Sequence, residues 1–420
     1  MKRIFQLGAV LALAATLGVA DQSYSAAPDQ SWDQMGGLGE TPAGSSSNIS
    51  REGNAWVQQT TGELPTAKII KVSTDAGSVR VTGADRGNVS YTLRKKVYGG
   101  SEEAAKRRFE QFKIAAWTTG EVAAFRGQCE STHGRASVDF DIQVPRGVQL
   151  VFVRTQGGGI ATSNIWGRVD LETMGGSIAL DQVGGSIVAS TLGGSIDVGS
   201  AGADVKVETS GGSITIRNAA GFTRAETSGG SIDVGTIKAP AYLDTAGGSI
   251  RAQQIGGDLT AETAGGNIDV GDVAGIAKLS TAGGSIRLGS SGGRVDADTA
   301  GGSIKLMQVK GGAKAETAGG SIFVEFVGPR SAFSDSRFET TAGDIIVVLP
   351  SNLGVNIRAA IEQAHGHKIR SDFSELKISS EGDGDWGAPK TIWAEGTING
   401  GGPFLKASTT IGNIEFRKGK

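Results

Sequence analysis

The sequence predicts an all-β protein: a two-sheet parallel β-solenoid (β-helix) with 18-residue coils and one short helix near its N-terminal end. Three observations predict it. Gly-Gly-Ser-Ile phrases return every 18 residues through 157–318, putting Ile160, Ile178, Ile196, Ile214, Ile232, Ile250, Ile268, Ile286 and Ile304 in one register, with Ile322 opening another copy. A threonine register is equally strict, with Thr173, Thr191, Thr209, Thr227, Thr245, Thr263, Thr281, Thr299 and Thr317 also 18 residues apart. Within a repeat such as 211–228, Ile214 and Ile216 alternate with Thr215 and Arg217, and Ala225 lies between Arg224 and Glu226. A fixed period of this size marks a solenoid, and alternation by two marks strands with one apolar face.

Two strands per repeat give a flattened coil, each strand bonding to its copy in the next coil. At about 4.8 Å per coil the regular part stacks into a rod on the order of 45–50 Å long. Glycine at the corners permits positive φ or close backbone approach. Stacked isoleucines drive assembly at about 1.5–3 kcal/mol per buried side chain. Ala189, Ala225, Ala261, Ala297 and Ala315 suit a thin interior, as does an aromatic content of 6%. Such a core has no room for a large internal pocket.

Residues 1–20 read as an export signal: Lys2 and Arg3 precede an apolar stretch that ends at Ala20, with Gly18 at the −3 position. Its removal takes the formal charge from −2 to −4, near enough to neutral that neither nucleic acid nor an anionic membrane is the expected partner. No later apolar run is long enough to span a membrane. The single cysteine, Cys129, excludes an intramolecular disulfide framework and a lipid-modified N-terminal cysteine. Residues 21–50, rich in Ser, Gly, Pro, Asp and Gln, read as a flexible linker.

Residues 51–156 read as irregular N-terminal coils, with strands from Lys68 and a first solenoid phrase at 74–81. They include a helix over 101–114, capped by Ser101, favoured by Glu102 and Glu103, and striped by Ala105, Phe109 and Phe112. The helix is expected to cover the first coils, because open solenoid ends invite aggregation. Residues 157–341 form the regular solenoid. Residues 342–420 form irregular C-terminal coils and a cap, in which 349–357 echo the lead-in at 144–150 and 410–414 return to the repeat phrase.

The Thr-x-Gly-Gly-Ser-Ile-x-Val phrases, the Val144-Pro145-Arg146-Gly147 lead-in, and the ending Asn399-Gly400-Gly401-Gly402-Pro403 with Gly412-Asn413-Ile414 together resemble the bacterial DUF4097 β-strand-repeat family of candidate adhesins. The resemblance spans nearly all of the chain after the signal. It implies an exported β-solenoid with no family catalytic residue to carry over.

The candidate binding surface is an acidic row just before the threonines: Glu208, Glu226, Asp244, Glu262, Asp298 and Glu316, preceded by Glu172 and interrupted by Ser190 and Ser280. Neighbours in such a row repel. Lys206, Arg224, Lys278 and Lys314, two positions earlier, are expected to screen them; alternatively the row faces a cation, a basic partner or a sugar. Other chemistries fit less well. Calcium-binding rolls need Gly and Asp where Ile196 and Val198 stand. An ice-binding threonine array needs an uncharged face. Asp296 and Asp298, with Arg287 and Arg294 near them, could do acid–base work on sugars, but the regular coils offer no loop to build a cleft. His365 and His367 lack further metal ligands and read as a turn. Cys129 beside His133 lacks an orienting third group.

The expected protein is therefore a non-enzymatic, exported β-solenoid acting as an adhesin-like binding or structural envelope protein. It would use no metal or other cofactor, would reside in the periplasm, at the cell surface or outside the cell, and would meet an envelope glycan or protein. The alternative is a polysaccharide-active β-helix enzyme, a lyase or hydrolase.

Overall fold

The structure, a computed structural model, describes residues 44–46, 49–129, 136–381 and 391–419. The expected signal and most of the linker lie outside them. The sheet begins earlier than the linker boundary implied: Gly44–Ser46 and Ser50–Glu52 already pair antiparallel with Ala55–Leu64.

Two large sheets face one another. One is made of strands that begin at the Ile register, such as Ile214–Ala219 and Ile232–Ile237 (the Ile sheet). The other is made of strands that end at the Thr register, such as Val205–Thr209 and Thr223–Thr227 (the Thr sheet). Each strand pairs in parallel with its copy one coil away, so Ile214 lies against Ile232 and Thr209 against Thr227. Ile232, Val234, Ile237 and Ala225 are wholly buried, and their copies fill the space between the sheets. Simple alternation holds on the Thr sheet. Strands of the Ile sheet bend instead, turning two consecutive residues such as Arg217 and Asn218 outward before Ala219 returns to the core.

The Thr ladder stitches the corners. Thr227 Oγ1 donates to Gly212 O of the preceding coil at 2.8 Å and accepts from Gly230 N–H at 3.3 Å. The same pair of bonds recurs from Thr173 to Thr299, and Thr317 Oγ1 likewise donates to Gly302 O. For the hydroxyl register, bonding to backbone is thus the role observed. The second glycine of each pair is there for close approach: a Cβ on Gly230 would lie 2.1 Å from Gly212 O, whereas one on Gly229 would meet nothing nearer than 3.5 Å.

Both ends break the sequential order. At the N-terminal end, Ile69–Thr74 and Val79–Ala84 form a coil directly beside the first regular one. Beyond it lies a coil that comes later in the chain, Val122–Cys129 with Ala136–Pro145. Antiparallel strands finish this end: Phe112–Thr119 on the Thr sheet, and Val89–Tyr98 then Ala55–Leu64 on the Ile sheet. The helix runs Glu102–Phe109, shorter than the expected 101–114, with Ser101 accepting from Ala104 N–H. Phe112 and Ile114 belong to a strand, because pairing with Cys129 and Gly127 satisfies their backbone in the sheet.

The C-terminal end mirrors this arrangement. Phe404–Ile411 and Ile414–Lys418 slip between the coil of Ser336–Ala342 and Ile345–Leu349 and the outer strands Val355–Ile361 and Ile369–Ser371. Thr391–Ile398 and then Lys377–Glu381 close the Thr sheet antiparallel. The regular period ends before residue 341: the link from Phe326 to Ser336 is lengthened and carries a short turn of helix at Arg330–Ala332.

Candidate functional site on the outer face of the Thr sheet

In Val205–Thr209, Val205, Val207 and Thr209 point inward, leaving Lys206 and Glu208 outward. In-register pairing repeats this on every strand. Glu208, Glu226, Asp244, Glu262, Asp298 and Glu316 therefore stand in one outward column, with Ser280 between Glu262 and Asp298. A second column runs beside it through Lys206, Arg224, Tyr242, Thr260, Lys278, Asp296 and Lys314.

Screening is uneven. Arg224 holds Glu226 at 2.5 Å and lies 4.6 Å over the Tyr242 ring. Lys314 reaches both Glu316 at 3.0 Å and Asp298 at 3.5 Å. Asp244 meets the Tyr242 hydroxyl at 3.4 Å, where the coils of Glu208, Glu226 and Glu316 offer Lys206, Arg224 and Lys314. Among the described residues, Glu208 and Glu262 make no ion pair. Burial and the neighbouring Glu226 raise the Asp244 carboxyl above its ordinary value. Burial also raises Asp298, assisted by Glu316 and opposed by Lys314. Tyr242 is pushed up to about 12 by burial, then by Asp244 and Glu262.

Around the suggested catalytic pair, it is Arg287 that is placed differently from expectation. Asp296 and Asp298 do both face outward, but Arg294 engages Asp296 at 2.9 Å. Arg287 stands on the opposite sheet, because its strand belongs to the Ile register. His365 and Gly366 occupy a turn with φ of 32° and 94°. Burial, then Asp75, push the Cys129 thiol up to about 12, which disfavours its nucleophilic thiolate; His133 lies outside the described residues.

Two open grooves flank the regular coils. One, about 420 Å³ on the Ile sheet, is floored by Ala161 and Ala179 between Arg80, Arg94, Asp139 and Asp141. The other, about 360 Å³ on the Thr sheet, is lined by Arg294, Lys314, Asp335, Arg337, Arg358, Phe404 and Lys406. Reading the sequence in order misses the second groove, because strand order alone brings Lys406 between Arg337 and Arg358. A signal for it exists: Lys406-Ala407-Ser408-Thr409 repeats the pattern of Lys314-Ala315-Glu316-Thr317.

No helix among the described residues is long and apolar enough to cross a membrane. No family model matches the chain, so the DUF4097 resemblance rests on the motifs alone, and no curated protein matches it. Among solved structures, the chain is similar to a "putative cell adhesion protein" from Clostridium sporogenes, at 9% identity and TM-score 0.16, over 86% of this chain and 100% of that one. It is also similar to a "putative adhesin" from Bacteroides fragilis, at 11% identity and TM-score 0.20, over 85% and 96% of the two chains. A third is a "putative lipid binding protein" from Parabacteroides distasonis, at 12% identity and TM-score 0.22, over 71% and 98%.

Proposed function

We propose that this is an exported, non-catalytic binding protein of the cell envelope, whose contact surface is the outer face of the Thr sheet. The observation that carries this reading is the in-register column of Glu208, Glu226, Asp244, Glu262, Asp298 and Glu316, a repeated display on a backbone held by a filled core. Because Glu208 and Glu262 make no ion pair with described residues, their oxygens can accept hydrogen bonds from sugar hydroxyls or from a basic partner at little cost. Partner contacts repeated at strand spacing add through effective concentration.

The test is retention of the purified protein on an envelope fraction and its glycans, with release of reducing ends followed in parallel. Retention should fall in Glu208→Gln/Glu262→Gln and persist in Asp233→Asn on the opposite sheet, with no release of ends. Turnover that disappears in Asp298→Asn would replace this reading with the polysaccharide-active alternative.

A further inference from the structure

At the C-terminal shoulder of the Thr sheet, four consecutive strands carry a cation at the same outward position. Lys314 lies beside Arg337, Arg337 beside Lys406, and Lys406 beside Arg358. At about 4.8 Å per strand the file runs on the order of 14 Å. Like charges directly opposite one another are destabilising, so the arrangement calls for a compensating anion. Along the regular coils the neighbouring column supplies it, as Glu316 and Glu339 do for Lys314 and Arg337. That column then gives out: the residues beside Lys406 and Arg358 are Ser408 and Ala360. Arg358 turns to Glu395 at 3.1 Å, and exposed Lys406 makes no ion pair among the described residues.

These cations line the groove of about 360 Å³, a size in the range of small-ligand clefts. Arg294 forms one side, held by Asp296 and by the Asp335 carbonyl. Asp335 turns its carboxylate to the Phe404 backbone N–H at 2.8 Å. The Phe404 ring is half exposed, with the Arg358 guanidinium 5.5 Å from its centre. A flat apolar surface beside a file of cations suits a ligand with an apolar ring face and anionic groups along its length. The guanidinium groups keep donors beyond those already used, in the planar fork that matches a carboxylate.

We propose that this groove binds a segment of acidic polysaccharide, with carboxylates of its uronic acid units on Lys406, Arg337 and Arg358 and one sugar ring against Phe404. The ligand must be a slim single chain, since a broad polyanion such as duplex nucleic acid would also face Asp298, Glu316 and Glu339 two residues away. The proposal rests on the reading above only in placing the contact surface on the Thr sheet.

The probe is an oligomer of galacturonic acid, titrated into the full chain at low salt, with its methyl-esterified form and inorganic polyphosphate in parallel. Wild type should bind the acidic oligomer and ignore the ester. Lys406→Glu should weaken binding about tenfold or more, and Lys406→Gln less. Lys278→Glu, in the same column but between Thr260 and Asp296, should change it less than about twofold. Equal binding of the ester, equal loss in Lys278→Glu, or preference for polyphosphate would each overturn the proposal. Wild type that ignores galacturonate yet is retained on the envelope fraction would overturn this assignment and leave the binding function standing. Loss of both would remove both.

Discussion

The regular coils and the two ends solve the same problem in opposite ways. In the coils, spatial neighbours are one repeat apart, and a single sequence phrase supplies core, corner and ladder. At the ends the chain places later strands inside earlier ones, so that Ile69 meets Val122 and Ser336 meets Leu405, and then finishes in antiparallel strands. A parallel ladder of identical coils has no internal reason to stop. Out-of-order insertion and reversed strands stop it, protecting edges that would otherwise template another chain. Charge follows the same division. Carboxyls such as Asp244 in the coils are raised by burial and by each other. At the N-terminal end, burial acts to raise Asp139, but Lys96 at 2.5 Å and Ser78 more than offset it and hold it low.

The sharpest test of the regular half compares two adjacent residues. Ile232→Asp puts a charge between coils that cannot avoid it and should cost several kcal/mol, about 4 or more. Asp233→Asn, outward and 3.4 Å from Arg251, should stay within about 0.5 kcal/mol. Equal melting shifts would mean that the two faces are wrongly assigned. The corner glycines divide in the same manner. Gly230→Ala drives a Cβ into the Gly212 carbonyl and should cost about 3 kcal/mol, while Gly229→Ala should cost under about 1. Thermal melts of the pair would break the close-approach explanation if the order reversed. Thr227→Val leaves Gly212 O and Gly230 N–H without their shared partner and should cost about 1–3 kcal/mol.

The legibility of the fold divides along the same boundary. Ile232 inside, Asp233 outside and the Thr227 hydroxyl on backbone all follow from period and side-chain chemistry, because in a solenoid the spatial neighbour is the sequence copy. Arg287 lies near Asp296 along the chain but on the other sheet, a separation that sequence distance alone does not reveal. At Phe112 the apolar spacing suits a helix, but pairing with Cys129 makes it a strand residue. The groove around Lys406 is legible only as a repeat of the 314–317 pattern at 406–409, since its assembly depends on the tail threading between strands already laid down.

A smaller effect separates the two regions by pH. Asp244 titrates above its unfolded value, so the stability it contributes is present below the ordinary carboxylate range and is lost as pH rises through the raised value. Asp244→Asn should therefore raise the Tm at pH 7 and change little at pH 3. Asp139 is lowered, so its contribution is present above the ordinary range and lost as pH falls through the lowered value. Asp139→Asn should lower the Tm at pH 7 and have less effect at pH 2. Paired melts at these pH values would contradict the comparison if both variants moved the same way.

The central claim is that the coils assemble by burial and backbone bonding alone, leaving the outward carboxylates available for a partner. The corner carbonyls that a calcium roll would turn to its metal are here engaged by the Thr ladder. The direct measurement is a circular dichroism melt in EDTA, repeated in millimolar calcium. A β-rich spectrum and a cooperative transition in EDTA, moved little by calcium, is the predicted result. A metal present at 100 times its dissociation constant would add about 2.7 kcal/mol of stability, enough to be seen. A chain that is disordered in EDTA and folds when calcium is added would contradict the claim and turn the acidic column into a structural metal site.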